Sequence, residues 1–596
     1  MSSKHFITDA THLVDAALQA LVMTNPSLAV DSENKIIYRL HTNNNATASQ
    51  VSIVSGGGSG HEPSFGAFVG KGLLSAAVAG SIFASPSAQQ IRIALMSRVD
   101  VRRGILVIIM NYTGDVLNFG MAVEKAKAAG LNVRLLVVGD DVGVGRRRLG
   151  RVGRRGIAGT VLVHKISGAL AARDASLDEI YEVAKLTANN LVSIGASLAH
   201  VHIPGKVNFN QNAEMVLGPE EVEIGMGIHN EFGNSRLKTD LPELVKTMLS
   251  QLLDLEDLDR AFLKVDSKDI VLLINNLGGL SVLELNGITF EVLKQLKQVY
   301  NIKPIRIYAG TYMSSLDSPG FSISILNVVS LQNGSLSMLE LLDDPAEATG
   351  WFAPVKKETW DMLSNPTTLC EIPIFYTNES KSSGLRCNPE MVKMRMIVAL
   401  KRLTAAEPEV TRYDTIVGDG DCGIGLKRCA QALLNLLSST TLSGDIVLDL
   451  NKIISVIEKS LDGTSGALYT IFLSSLACNL RDQSTNAGIE ITPKIWAFAL
   501  RMSCKDLGNY TPAQPGDRTL VDALYPFVET LAETGDLLKA AIAARKGAEE
   551  TKGLKARLGR TVYVGGSGYE EVPDPGAWGL SEFLLGLAGE SRDEKI

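Results

Sequence analysis

The feature that most restricts the fold is a change of hydrophobic rhythm near Pro389. Upstream, short apolar runs alternate with helical patterns. Gln50–Ser55, Gly104–Met110, Asn132–Val138 and Thr160–Val163 read as strands, and Asp9–Met23 and Ala122–Ala129 as helices among them. Two-sided apolar strands alternating with helices predict an α/β architecture with buried, largely parallel strands, whose polar C-terminal ends collect at one edge. A second α/β portion begins near residue 197, with a strand at Ile270–Asn276 and a helix near Val282–Val299. Beyond Pro389 apolar residues recur at spacings of three and four, predicting an all-α domain with helices at Met391–Leu403, Ile424–Leu437, Ile446–Leu461, Gly466–Leu480, Pro493–Leu507, Arg518–Thr534 and Leu537–Thr551. The predicted division is an α/β domain at 1–345, with subdomains at about 1–196 and 197–345, a linker at 346–388 with Trp351 and Trp360 as docking points, and an all-α domain at 389–596.

A chain of 596 residues is too long for one core, which agrees with that division. The net charge of −7 argues against a nucleic-acid partner. Six arginines between Arg146 and Arg155 are the local exception, and a solvated loop or subunit contact is favoured there over a grip on phosphate or RNA. No apolar run reaches the roughly 18 residues of a membrane span. Asp9 and Asp15 are unlike a signal or transit peptide, so the cytoplasm is the expected compartment. The cysteines lack a CxxC pair or nearby histidines and do not form a zinc set. All eight histidines precede residue 230, so imidazole chemistry must come from the front of the chain.

The carboxylate chemistry lies at the back, in Tyr413-Asp414-Thr415-Ile416-Val417-Gly418-Asp419-Gly420-Asp421-Cys422-Gly423. A helix would turn Asp419 and Asp421 to different faces. The run therefore reads as a non-helical, glycine-punctuated loop that points both at one centre, with Asp414 brought in from the preceding segment. Clustered carboxylates repel one another unless a cation sits among them, and hard oxygen ligands suit Mg²⁺ with substrate phosphates completing the shell. An isolated Asp-Gly-Asp also suits a polar turn. The helical pattern after Gly423 favours the metal–nucleotide site, because a helix N-terminus attracts anions. Gly423 and Ala430 occupy positions that an EF-hand would fill with Asp or Asn and with Glu. No Walker A loop and no protein-kinase catalytic motif is present, so any phosphoryl transfer needs another nucleotide fold.

Nine landmarks in order carry a family resemblance: SGGGSGHEP (55–63), NYTGD (111–115), GRRGIAGTVLVHK (153–165), GIHNEFG (227–233), NNLGG (275–279), YDTIVGDGDCG (413–423), TSGALY (464–469), PGDRT (515–519) and PDPGA (573–577). Together they resemble the single-chain, ATP-dependent dihydroxyacetone kinases, also called glycerone or triose kinases. The resemblance implies an α/β domain that binds the triose and an all-α barrel that holds ATP and Mg²⁺. It implies that His229 attacks the substrate carbonyl to give a covalent hemiaminal, which glycerol, lacking a carbonyl, cannot form. It further implies that Gly57, Gly58, Ser59 and Gly60 form the substrate loop and that His61 and Asp115 are an acid–base pair for the terminal hydroxyl. Asp414, Asp419 and Asp421 match magnesium ligands, and Gly420, Cys422, Thr464, Ser465, Gly508, Arg518, Asp574, Pro575 and Gly576 match the nucleotide site. Arg518 is the residue expected to offset phosphoryl charge.

One position departs from the pattern. Relatives usually carry Lys before NYTGD, and this chain has Met110, so Met110→Lys is expected to raise activity. The leading function is phosphorylation of dihydroxyacetone, with glyceraldehyde as second substrate. Splitting of FAD into AMP and cyclic FMN at the same site, or a catalytically weak sugar-sensing role, are the alternatives. Family members act as domain-swapped homodimers, which is the assembly the resemblance implies.

Overall fold

The computed structural model describes residues 5–40, 49–205, 216–265, 269–331, 336–362, 382–483, 488–558 and 568–590. The chain divides into two compact units, Met1–Cys370 and Glu371–Ile596.

The front unit contains two six-stranded sheets. The first is built from β1 (Leu28–Asp31), β2 (Ile36–Arg39), β3 (Ser52–Ser59), β4 (Ala76–Ile82), β5 (Ile105–Met110) and β6 (Val133–Val138), in the order β1-β2-β4-β3-β5-β6. Strands β4, β3, β5 and β6 are parallel, and β1 and β2 join antiparallel at one edge. The second contains β7 (Leu191–Ser197), β8 (Glu221–Ile224), β9 (Ser235–Lys238), β10 (Ile270–Asn276), β11 (Arg306–Gly310) and β12 (Gly320–Asn327), in the order β11-β10-β12-β7-β8-β9. Here only β10 and β11 are parallel. The expectation of largely parallel strands therefore holds for the first sheet alone. The reason lies in the connections: a parallel pair needs a crossover of a dozen residues or more, usually a helix, and β10 to β11 has one.

The helices follow from the faces that need covering. They are α1 (Ala10–Thr24), capped by Asp9, α2 (Ala88–Ser97), α3 (Thr113–Ala128), α4 (Thr160–Ala172), α5 (Leu177–Asn189), α6 (Leu241–Leu253), α7 (Val282–Val299), α8 (Met338–Asp343) and α9 (Lys357–Met362). Ile91, Leu95, Phe119 and Val123 of α2 and α3 pack on Val54, Val107 and Ile109. On the opposite face Leu106, Ile108 and Met110 meet α4, in a core that extends to Val271 and Leu273 of the second sheet. Helices α6 and α7 cover that sheet's other face. Thr160–Val163, expected as a strand, is the first turn of α4. Every residue of α4 from Thr160 to Ala171 is buried. A helix enclosed on all sides has no polar face, so its period vanishes and a short apolar run looks like a buried strand.

The segment expected to start the linker belongs to the front unit. Trp351 packs against Tyr308 and Tyr312, with ring centres 5.4 and 5.6 Å apart, and Arg306 lies 5.7 Å from the Trp360 ring centre. The tryptophans do dock there, as expected. Residues 363–381 of the expected linker lie outside the described residues.

Among the described residues the rear unit is helical as expected, apart from a two-residue parallel pair, β13 (Leu385–Arg386) and β14 (Ile489–Glu490). Its helices are α10 (Pro389–Val417), α11 (Cys422–Ser439), α12 (Ile446–Ser460), α13 (Gly463–Asp482), α14 (Pro493–Leu507), α15 (Val521–Thr534), α16 (Leu537–Glu550) and α17 (Pro575–Leu587). Each packs on the next and α17 returns to α10, closing a barrel. Its interior holds an apolar cavity of about 570 Å³, lined by residues such as Leu433, Phe472 and Leu524. An apolar interior cannot solvate a triphosphate, so a nucleotide's phosphates must sit at a loop end. Two expectations change: α17 is a helix beyond the last one expected from the sequence, at Leu537–Thr551, and Tyr413–Val417 continue α10 rather than forming a loop. The helix stops only at Gly418. Among the described residues no helix is long and apolar enough to cross a membrane.

Candidate active site

The front site is assembled where β3 ends. Its glycines are demanded by their neighbours. A Cβ at Gly58 would stand 2.8 Å from the Ala84 nitrogen, one at Gly57 3.0 Å from the Phe65 ring, and Gly60 has φ +100° against the Phe83 ring. Ser59 donates to the Gly80 carbonyl at 2.8 Å, which fastens the run to β4.

His61, fully buried, leaves this turn stacked on Phe83, with ring centres 5.3 Å apart. Its Nδ1 is 3.0 Å from the Ser314 carbonyl oxygen and its Nε2 is 2.9 Å from Nε2 of His229. His229 lies on a turn held from outside. Ser315 donates to the Ile228 carbonyl at 2.6 Å, and Asn230, at φ +64°, exchanges hydrogen bonds with the Val201 backbone. Nδ1 of His229 faces Glu231 Oε1 at 3.2 Å, and its backbone N–H donates to Oε2 at 2.9 Å. Both Nδ1 atoms face oxygen acceptors, which assigns each ring as Nδ1–H when neutral. The contact between the two Nε2 atoms then has room for one shared proton.

The electrostatics are consistent with that arrangement. Burial first, then the charge on His229, hold the His61 imidazole down near pH 3. Burial pushes Glu231 upward, but the hydrogen bonds and charge of His229 and the charge of Arg155 outweigh it and set the carboxyl at about 2. Asp115, in the first turn of α3 and 3% exposed, is raised to about 6 by burial, against a Ser85 hydrogen bond and the His229 charge. Its Oδ1 is buried with no hydrogen-bond partner, leaving an acceptor ready for a hydroxyl.

His61, His229 and Asp115 are therefore brought together, and Gly57–Gly60 border them. Met110 is not a polar contact: it is 1% exposed, in the core with Val138 and Ile157, because the inward face of β5 ends there. Two neighbours were missed. Glu231 orients His229, and Tyr112 makes a T-shaped contact with His229, ring centres 4.5 Å apart, with its hydroxyl buried and unpartnered. A carboxylate two positions after the histidine was the available signal for the first; Tyr112 had only its place inside NYTGD.

In the rear unit, Asp414 is buried on the last turn of α10, while Asp419 and Asp421 are exposed on the following loop. One oxygen from each lies within 4.8 Å of the others. Asp414 Oδ2 accepts from Cys422 N–H at 2.9 Å, and Gly420 turns the loop at φ +79°. This all-carboxylate set fits a hard divalent cation such as Mg²⁺. Three helix N-termini converge beside it. Cys422 opens α11, bonds Ser465 near the start of α13, and feels the charge of Asp574, which caps α17. Burial, with Asp414 and Asp574, pushes the Cys422 thiol up to about 12, so it is a neutral packing group here. Converging N-termini favour phosphate.

Thr464 is exposed and Ser465 half-buried in the first turn of α13, and Pro575 and Gly576 follow the cap of α17. Asp574 accepts from Ala577 N–H at 2.7 Å, and burial raises its carboxyl to about 7. Arg518, 2% exposed at φ +63°, donates to the Leu554 and Val572 carbonyls, both at 2.9 Å, and its charge is felt by Asp574. Gly508 ends α14 with its amide turned to the Cys504 and Lys505 carbonyls, not to the carboxylates.

Comparison with known proteins agrees with both halves. A Dak1 domain matches residues 19–350 and a DAK2 domain residues 416–589. The chain is 44% identical to a dihydroxyacetone kinase of Pichia angusta, over 99% of this chain and 98% of that protein. It is 41% identical to dihydroxyacetone kinase 2 of Saccharomyces cerevisiae, over 98% and 99%. The crystal structure of the dihydroxyacetone kinase from C. freundii in complex with AMP-PNP and Mg²⁺ superposes with a TM-score of 0.62 at 30% identity, covering 99% of this chain and all of that one. Matched in both units, in order and almost end to end, the chain belongs to the dihydroxyacetone kinase family.

Proposed function

We propose that the chain transfers the terminal phosphoryl group of ATP to dihydroxyacetone, and to glyceraldehyde as second substrate, after His229 has captured the carbonyl as a hemiaminal. The observation that carries this reading is the 2.9 Å contact between His61 and His229, with Glu231 on the far side of the nucleophilic ring. The lone pair on Nε2 of His229 attacks the carbonyl carbon and the C=O π pair moves onto oxygen. The alkoxide so formed takes a proton from solvent, because His61, held neutral by burial with its Nδ1 on the Ser314 carbonyl, has no Nε2 proton to give. The positive charge that develops on the His229 ring is balanced by Glu231. Selectivity follows, because glycerol has no carbonyl to trap.

Asp115 takes the proton of the terminal hydroxyl as the phosphoryl group arrives. Its raised value, about 6, leaves it mostly ionised at neutral pH and a stronger base than a surface aspartate. Asp414, Asp419 and Asp421 would hold Mg²⁺, which when bound neutralises the phosphate oxygens of the nucleotide. The N-termini of α11, α13 and α17 orient those phosphates. In the same reading the chain works as a homodimer, the rear unit of one chain serving the front unit of the other.

The test is ATP consumption with dihydroxyacetone, glyceraldehyde, glycerol and FAD in parallel. Turnover with the two trioses and none with glycerol is expected, and it is lost in His229→Ala. Triose turnover retained by His229→Ala removes the covalent step, and FAD cleavage without triose turnover replaces the function.

A further inference from the structure

The arginine-rich run at 146–155 finds only part of its explanation as a surface loop. Arg146 donates to the Leu258 and Ala261 carbonyls and lies over Phe262, as does Arg154, and Arg148 donates to the Gly233 carbonyl. These brace one loop against another. Arg155 points elsewhere. With its side chain 14% exposed, it donates from Nε to Asp141 Oδ2 at 2.9 Å and from Nη2 to the Gly225 carbonyl at 2.6 Å. Its Nη1 and Glu231 Oε2 both crowd the space that a Cβ at Gly227 would fill, so opposite charges face each other across that glycine.

Asp141 is itself fixed, accepting from Gly143 N–H at 2.8 Å. The chain of contacts runs from Asp141 through Arg155 to the Gly225 carbonyl, where the turn bearing His229 begins, and to Glu231, which binds that histidine twice. We infer that Arg155 is a positioning residue for the nucleophile: its guanidinium, anchored on Asp141, fixes Glu231, and Glu231 fixes His229 as the Nδ1–H tautomer with the Nε2 lone pair free to attack. This rests on the proposed role of His229. A lysine could neutralise Asp141, but it has no rigid fork with which to hold Asp141, Gly225 and the Glu231 side together. The other titratable groups facing the two rings are His61 from the end of β3, and Tyr112 and Asp115 at the start of α3.

A purely structural role and a positioning role differ in their pH dependence. Without its counter-cation, Glu231 favours the protonated, non-nucleophilic His229. In Arg155→Gln the acid limb of the kcat/KM profile for dihydroxyacetone therefore moves to higher pH by about one unit, a loss of roughly tenfold at pH 6 that largely disappears by pH 9. Arg155→Lys keeps the limb near its native position with a smaller loss, and adding Glu231→Gln to Arg155→Gln abolishes the shift. An equal loss at every pH in Arg155→Gln overturns the inference. If that variant fails to fold, Asp141→Asn with Arg155→Gln keeps the buried site neutral and carries the same test. In the unmutated protein, ¹⁵N NMR of the histidine rings, assigned with His229→Ala, is expected to show neutral His229 protonated on Nδ1; protonation on Nε2 overturns the inference whatever the variants do. A flat Arg155→Gln profile beside an inactive His229→Ala sinks this inference alone, whereas an active His229→Ala sinks the reading beneath it.

Discussion

A buried carboxyl, a glycine and a buried methionine carry the residue-scale predictions. Asp115 has its folded pKa raised to about 6, above the ordinary value of 3.8, so the folded protein holds that proton more tightly than the unfolded chain. Its contribution favours folding below about pH 4 and is lost as pH rises through 6. Asp115→Asn is accordingly expected to raise the melting temperature at pH 8 relative to the parent, with little gain at pH 4, while abolishing triose phosphorylation. Equal shifts at both values would show that no charge is buried there. At Gly57 an added methyl meets the Phe65 ring at 3.0 Å and Asp115 Oδ2 at 3.7 Å, so Gly57→Ala should fold and lose most of its activity with dihydroxyacetone. Met110 reverses its sequence-based expectation. A lysine at a 1%-exposed core position buries a charge, so Met110→Lys is now expected to lower the melting temperature by several degrees without raising kcat/KM. A gain in kcat/KM would mean that the ammonium escapes into the pocket. At this scale the candidate groups were most legible where a glycine adjoins them, as at His61, Asp115, Asp419 and Asp421, whereas Asp414 lies within α10 and His229 two positions after Gly227. Their helpers were hidden: Glu231 and Arg155 act through partners that only folding brings near.

Helices α4 and α17 show why some elements escaped a reading by period. In α4 burial on all sides removes the polar face that periodicity needs. In α17 the Pro and Gly residues of Asp574–Gly579 look like breakers, yet Asp574 caps the helix and Pro575 occupies its first turn, where a missing N–H costs nothing. Amphipathic α5, α7, α12 and α14 present one buried face, and α7, α12 and α14 were legible at close to their observed bounds. Helix α17 also carries the tie that closes the barrel. Glu582, with no side-chain exposure, accepts from Arg402 at 2.7 Å and from Arg545, which lies on the Trp578 ring. Truncation would leave two mostly buried guanidinium groups facing an empty site. Glu582→Ala is expected to cost about 3–5 kcal/mol in a urea titration; a change below about 1 kcal/mol would show that the ion cluster does not hold the ring closed.

For the whole molecule, the division into an imidazole-bearing front and a carboxylate-bearing rear was visible in the sequence, because every histidine lies before residue 230 and the aspartate run after residue 413. The mixed direction of the second sheet was not, since strand direction depends on which connections carry helices. The proposed cross-chain arrangement has a test of its own. His229→Ala and Asp419→Ala are each expected to be inactive, and mixing them under subunit exchange restores activity only if a front unit is served by another chain's rear unit. Persistent inactivity of the mixture would place both halves of each site in one chain. The covalent step beneath all of this is read most directly by ¹³C NMR of carbonyl-labelled dihydroxyacetone bound to the unmutated protein without nucleotide. The ketone signal is expected to give way to that of a tetrahedral carbon, which is absent with His229→Ala; a bound substrate that keeps its ketone signal would contradict capture by His229.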